Sequence, residues 1–206
     1  MKTLVFSLFT LFLFTFFSCK NQNQQSADNS AQSETEISFN SLKSEYIAKA
    51  KPIAMESGKT LKTKLMESIQ AGGLENGLNI CNTVAQKMMD SLSEVHGVKI
   101  RRTSMKIRNS DDIADQDDLE MLSFYETNHG EGAELGPEAK ELADGNVRVF
   151  MPIMVEDACL KCHGNVGSDL SIDFYAKIKE KYPEDEAFNY KSGDFRGMWS
   201  ITMNKM

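Results

Sequence analysis

Apolar residues in the first third of this chain recur at three- and four-residue steps. Phe39, Leu42, Tyr46, Ala50 and Ile53 fall on one helical face, and Leu61, Leu65 and Ile69 on a second, shorter one. Gly72-Gly73 interrupts the pattern. A 4-3 rhythm then runs through Leu74, Leu78, Cys81, Ala85, Met88, Leu92 and Val95, and Gly97 supplies a C-terminal stop. Cys81 therefore belongs to the apolar stripe of a predicted third helix and not to its wet face.

The period changes after Gly97. Val98 to Arg108 reads as a strand, but its apolar parity flips from Val98 and Ile100 to Met105 and Ile107, which predicts a bulge or twist near Arg102. Asp111 to Asp118 is an acidic loop or helix start leading into a helix with Leu119, Leu122 and Phe124. Val147, Val149, Met151, Ile153 and Val155 alternate as a strand, and Pro152 within it argues for an edge or bulged position. Leu170, Phe174 and Ile178 mark another amphipathic helix up to Tyr182. Trp199, Ile201 and Met203 mark a closing strand that begins near Arg196. Helices first, then strands with intervening helices, is an α+β pattern.

The N-terminus differs from all of this. Residues 1–18 carry Lys2 and an apolar run from Leu4 to Phe17, too short to span a bilayer and typical of a signal peptide. The run ends in Phe16-Phe17-Ser18-Cys19, which resembles a bacterial lipoprotein signal with Phe16 in place of the usual Leu. That resemblance implies cleavage before Cys19 and lipidation of its sulfur, a stable membrane anchor. Residues 20–36 hold only two alanines as apolar side chains. With Cys19 they read as a disordered tether, 19–36, reaching at most about 55–60 Å. Residues 37–206 remain as one domain.

Charge narrows the partners. The 206-residue chain has a formal charge of −7, and loss of Lys2 with the leader makes it −8. An acidic domain without a basic run is a poor match for nucleic acid or for electrostatic docking on anionic lipid. No Walker loop, dinucleotide fingerprint or Gly-x-Ser-x-Gly elbow is present.

The chemistry concentrates in Cys159-Leu160-Lys161-Cys162-His163, which reads as a c-type haem attachment site. Two thiols three positions apart can each bond one vinyl group of a single haem, and the adjacent His163 can ligate the iron. The alternatives are a thioredoxin-like redox pair or half of a zinc site. The remaining cysteines, Cys19 and Cys81, do not form a second zinc pair, and no βαβ context for a redox pair is evident. Haem propionates need donors, and Arg101, Arg102, Arg108, Arg148 and Arg196 are the candidates.

Four segments taken together resemble a known family. They are Asn79-Ile80-Cys81; Arg102-Thr103-Ser104 with Arg108-Asn109; Cys159-Leu160-Lys161-Cys162-His163-Gly164; and Tyr182-Pro183-Glu184-Asp185 through Gly193-Asp194-Phe195-Arg196-Gly197. The chain is similar over about 40–204 to the Tll-type c-haem domain family, whose members stand alone or form sensor parts of membrane-bound histidine kinases. It departs from the family at Ser110 and Ala114, where prolines are usual, and at Asn189, where a glycine is common before Tyr190. The resemblance implies a PAS-like antiparallel sheet with N-terminal helices and one covalent haem. It also implies His163 and Cys81 as axial ligands, with Arg102 and Arg108 favoured at the propionates. Met105, Met151, Met154, His96 and His129 are the competing ligands, and a free cysteine such as Cys81 is often plain core filler.

Two functions follow as expectations. One is a lipid-anchored redox or gas sensor, responsive to CO or NO, facing the periplasm of a bacterial envelope and signalling to a separate protein partner. The other is a monohaem electron-transfer cytochrome at the membrane surface. Thiolate ligation lowers the potential and methionine raises it, so the sixth ligand discriminates between them. Peroxidase-like catalysis would need a distal acid–base residue, which the pattern does not supply, so no enzyme is expected.

Overall fold

The computed structural model describes residues 23–205, with side chains from Phe39 onward. The signal peptide 1–18 and the lipidation site Cys19 lie outside the described residues. Helix α1, Asn23–Thr83, begins inside the segment read as a tether. From Phe39 to the C-terminus the chain packs as one unit. It continues through α2 (Ala85–His96), β1 (Lys99–Thr103), α3 (Gln116–Gly130), β2 (Glu138–Glu141), β3 (Val147–Met154), α4 (Leu160–His163), α5 (Ile172–Lys181) and β4 (Phe195–Met203). The fold is α+β, and the four strands form one antiparallel sheet in the order β1-β4-β3-β2.

Alternation along the strands sends two different cores to the two faces of the sheet. On one face Ile100, Val147, Val149, Met151, Trp199 and Ile201 meet Tyr46, Ala50 and Ala54 of α1 and Met89 of α2. On the other, Phe150, Met198 and Phe195 meet Leu122 and Tyr125 of α3. Arg101 and Arg102 follow the same rule and diverge. Arg101 reaches Asp118 on the α3 side (3.0 Å), while Arg102 lies over Trp199 on the α1 side, 5.9 Å from the ring centroid.

Several expectations change. The first two predicted helices are one, and the backbone leaves helical geometry at Gly72 and Gly73 as foreseen. The third helix divides at Val84, yet helical hydrogen bonds run through it: Val84 N–H donates to Ile80 O and Met88 N–H to Val84 O, both 3.0 Å. The Thr83 hydroxyl donates back to the Asn79 carbonyl at 2.8 Å, a pairing that bends helices. The apolar stripe shifts at this bend. Ala85 and Met89 are buried, Met88 is partly buried and Val95 is 76% exposed. Gly97 ends α2 in the left-handed region at φ 63.

The parity flip near Arg102 marks the end of a strand and not a bulge. β1 stops at Thr103, and Ser104 turns the chain, its hydroxyl 3.1 Å from Lys106 O and donating to Arg196 O at 2.7 Å. The nearby Gly197 is obligatory, because a Cβ there would stand 2.3 Å from Thr103 O. Pro152 sits past the end of β2, which pairs with β3 only as far as Phe150, and one residue before a register shift at Ile153/Met154.

Helix α3 buries Asp118, Leu122 and Tyr125, whereas Leu119 and Phe124 are exposed. Asp118 is buried because Arg148 (3.1 Å), Arg101 (3.0 Å) and the Ser200 hydroxyl (2.8 Å) all donate to it. Two of the five candidate arginines are thereby committed to this network.

Candidate functional site

The Cys-x-x-Cys-His run follows β3 directly. A 3-10 turn, Asp157–Cys159, feeds the single turn of α4. This winding turns the two thiols toward different neighbours. Cys159 packs with Val155, Ala187 and Tyr190. Cys162 packs with Leu78 of α1 and Leu170, Phe174, Ile178 and Tyr182 around α5. Gly164 is required by a close approach, since a Cβ there would lie 2.5 Å from Asp169 Cβ and 2.7 Å from Leu160 O.

His163 is held by its backbone and by its ring. Its carbonyl accepts from Tyr190 N–H at 3.0 Å, and the Tyr190 ring meets the imidazole edge-on with centroids 6.5 Å apart. Nδ1 lies 2.7 Å from Ala187 O. A carbonyl only accepts, so Nδ1 carries the proton and the neutral ring presents the Nε2 lone pair. Burial, reinforced by the charges of Arg108, Arg196 and Arg102, holds the imidazole pKa well below its ordinary range. The result is an oriented, deprotonated nitrogen, the state that an iron ligand needs.

Cys81 lies near these groups. It lies two residues before the end of α1, within electrostatic reach of Arg102, Arg108 and Asp112 and of Cys162 and Tyr182. Burial pushes the Cys81 thiol up against the pull of Arg102 and Arg108. Burial also takes Cys162 up to about 11 and Tyr182 to about 12. All three cysteines are free.

The arginines have separate roles. Arg108 donates from Nε and Nη2 to the Asp185 carboxylate (3.0 and 3.2 Å) and from Nη2 to Cys162 O (2.7 Å) and Ala187 O (3.1 Å). It thus ties the cysteine-histidine turn to the 185–187 loop. Arg196 donates to Ser104 Oγ and Lys106 O (2.7 and 3.0 Å) and lies over Tyr190. Arg102 differs, because its Nε is buried without a hydrogen-bond partner. The hydroxyl of fully buried Ser57 is likewise unpartnered, one residue from Gly58, which faces Trp199.

The orphaned Nε of Arg102, whose guanidinium lies over Trp199, suits a ligand that carries a carboxylate. A cleft of about 330 Å³ opens beside Arg102 between α2 and β1, with Gln86, Ser93, Ile100 and Asp112 among its lining. A haem propionate is a ligand of that kind, and Arg102 fits it; the lining of the cleft does not include Cys159, Cys162, His163 or Cys81.

The competing ligands are placed elsewhere or already engaged. Met151 is core, and Met105 and Met154 are exposed. His96 bonds Glu56 at 3.0 Å, and His129 ends α3 on the opposite face of the sheet. The sequence reading missed Ala187 and Asp185. The first acts through a backbone atom, and the second gave no signal beyond its place in a resembling segment. The departure at Asn189 has a conformational reason: this residue sits in the left-handed region at φ 62, where glycine is the natural occupant and asparagine the tolerated one.

Comparison with known proteins adds the following. The model of the Tll0287-like family matches residues 21–204. No curated protein matches the chain. Among solved structures, the cyanobacterial heme-protein Tll0287 superposes with a TM-score of 0.54 at 21% identity, covering 79% of this chain and 94% of that one. At that identity the likeness speaks for the fold.

Proposed function

Because the chain belongs to the Tll0287-like family, we propose that it is a haem-binding protein holding one covalent c-type haem on a PAS-like sheet. Cys159 and Cys162 would hold it through thioethers, His163 and Cys81 would ligate its iron, and Arg102 would meet a propionate. One observation carries the reading most directly. The Nδ1 atom of His163 is fixed against Ala187 O, which leaves Nε2 unprotonated, while Arg102, whose charge reaches both this imidazole and Cys81, keeps a buried Nε without a hydrogen-bond partner. Bound there, haem supplies one-electron chemistry at iron.

The residues do the rest. His163 presents an oriented lone pair, and Arg102 offers its idle Nε to a carboxylate. The end of α1 sets the Cys81 thiol within electrostatic reach of Cys162, Arg102 and Arg108, and the charges of the same two arginines reach the imidazole. A Cys81 thiolate on the iron of such a haem would lower its potential, and its protonation on reduction would make room for CO or NO. This favours a redox or gas sensor over an electron carrier. The sensor is anchored through Cys19 at the periplasmic side of a bacterial membrane and signals to a partner protein.

The test is direct. Protein made with a haem-maturation system should keep its haem through acid-acetone extraction, give a c-type pyridine haemochrome, and show a low-spin ferric EPR signal of thiolate opposite imidazole. Extractable haem, or none, overturns the reading.

A further inference from the structure

The Arg108–Asp185 ion pair is buried beside the carbonyl that orients His163. The Asp185 side chain is fully buried and that of Arg108 only 10% exposed. Three groups converge on the single residue Ala187. Its carbonyl accepts from His163 Nδ1 at 2.7 Å and from Arg108 Nη2 at 3.1 Å, and its N–H donates to Asp185 Oδ1 at 3.0 Å. The same Nη2 also holds Cys162 O at 2.7 Å. One guanidinium therefore touches the backbone of the second haem cysteine and the acceptor that orients the histidine.

From this geometry we infer that Arg108 and Asp185 are positioning residues that set the reduction potential of the iron through the Ala187 carbonyl. The inference rests on the haem reading above and adds a role that differs from propionate binding. A carbonyl that already accepts a charge-assisted bond from arginine draws less on a second donor. The Nδ1–H bond is then weaker, the imidazole keeps less anionic character, and ferric iron is less favoured. Asp185 opposes this by neutralising the arginine. The pair acts as a fixed dipole behind the ligand, one of the outer-shell levers through which a protein tunes bound iron.

Asp185→Asn keeps an oxygen for the Ala187 N–H and removes the compensating charge. Potentiometric titration of this variant should show the reduction equilibrium shifted about tenfold toward ferrous iron, about 59 mV for one electron, with the low-spin spectrum retained. The double variant Arg108→Gln/Asp185→Asn removes both charges and should return most of that shift. A purely structural clamp would lower the melting temperature in both variants and leave both potentials within twofold of wild type, and that result overturns the inference.

Wild-type protein gives a second reading that does not depend on variant yield. In the ferrous CO adduct, which is diamagnetic, the His163 Nδ1–H proton should exchange slowly with solvent, and fast exchange overturns the inference too. Wild type that carries no covalent haem overturns the functional reading together with this one. Haem present with unmoved potentials overturns this one alone.

Discussion

Replacing Cys81 by alanine separates ligation from packing, because the two roles predict effects of different kind and size. As a packing residue, Cys81 is half-buried near the end of α1. The change removes one sulfur atom, and alanine returns up to about 0.7 kcal/mol of helix propensity. The net cost is within about 1 kcal/mol, or about 2–4 °C in melting temperature for a domain of this size. As a ligand, the sulfur determines the electronic state of the iron. Its loss should leave ferric iron high-spin or water-bound and raise the potential, since an anionic donor is gone. The assay is a ferric and ferrous optical spectrum with EPR and a potentiometric titration, run beside a thermal melt. The expected result is a large spectral change with a small shift in melting temperature. If the variant's spectra match wild type in both oxidation states, Cys81 is a packing residue. An electron carrier with a methionine or histidine ligand then becomes the better reading.

Three further outcomes are expected. Asp118→Ala removes the buried acceptor of Arg148, Arg101 and Ser200 while Asp115 still pairs with both arginines, and should cost about 1–3 kcal/mol in urea denaturation. The haem spectrum should stay unchanged, because this network lies on the α3 face; a spectral change would show that the two faces are coupled. In the haem-free chain His163 is held neutral by burial and by Arg108, Arg196 and Arg102. The unfolded chain binds a proton near pH 6.5 that the folded chain does not. Stability should therefore fall as pH drops below about 6.5, by up to about 1.4 kcal/mol per unit. The slope should be shallower in His163→Ala, and equal slopes in the two proteins would refute the assignment. Cys19→Ser should release the protein from the membrane fraction; a variant still pelleting with membranes in high salt would place the anchor elsewhere.

What could be read from the sequence follows how directly each feature depends on side-chain identity. The α1 stripe was legible because Tyr46, Ala50 and Ala54 bury one face against a sheet, and burial of that kind leaves a periodic trace. β2 was not legible. Glu-Ala-Lys-Glu offers only Ala139 to the core, and its strand conformation comes from pairing with β3. α3 was legible as a helix but its buried face was misplaced, because apolar residues were assumed to face inward. Leu119 and Phe124 are exposed, and Asp118 is buried at the centre of an arginine pair. The bend at Val84 was also hidden. It depends on a side-chain-to-backbone bond from Thr83, while the 4-3 rhythm of apolar residues continues across it.

The candidate site divides in the same way. Cys159, Cys162 and His163 announce themselves because thioether chemistry requires those atoms at that spacing. Cys81 was legible only as an apolar-stripe cysteine, and the structure adds that it lies within electrostatic reach of Cys162, Arg102 and Arg108. The acceptor of the His163 Nδ1 proton was beyond reach, because any residue at 187 supplies a carbonyl. Only the folded chain shows that this carbonyl is the one facing His163 Nδ1. Arg108 was selected for its charge and given to a propionate, yet Asp185 and two carbonyls occupy its Nε and Nη2. Arg102, chosen on the same grounds, keeps a buried and idle Nε. The two arginines are alike in type and lie six positions apart. What separates them is that Asp185, 77 residues beyond Arg108, meets one and not the other. A carboxylate ligand should therefore depend on Arg102 far more than on Arg108, whose part in the site runs through the histidine.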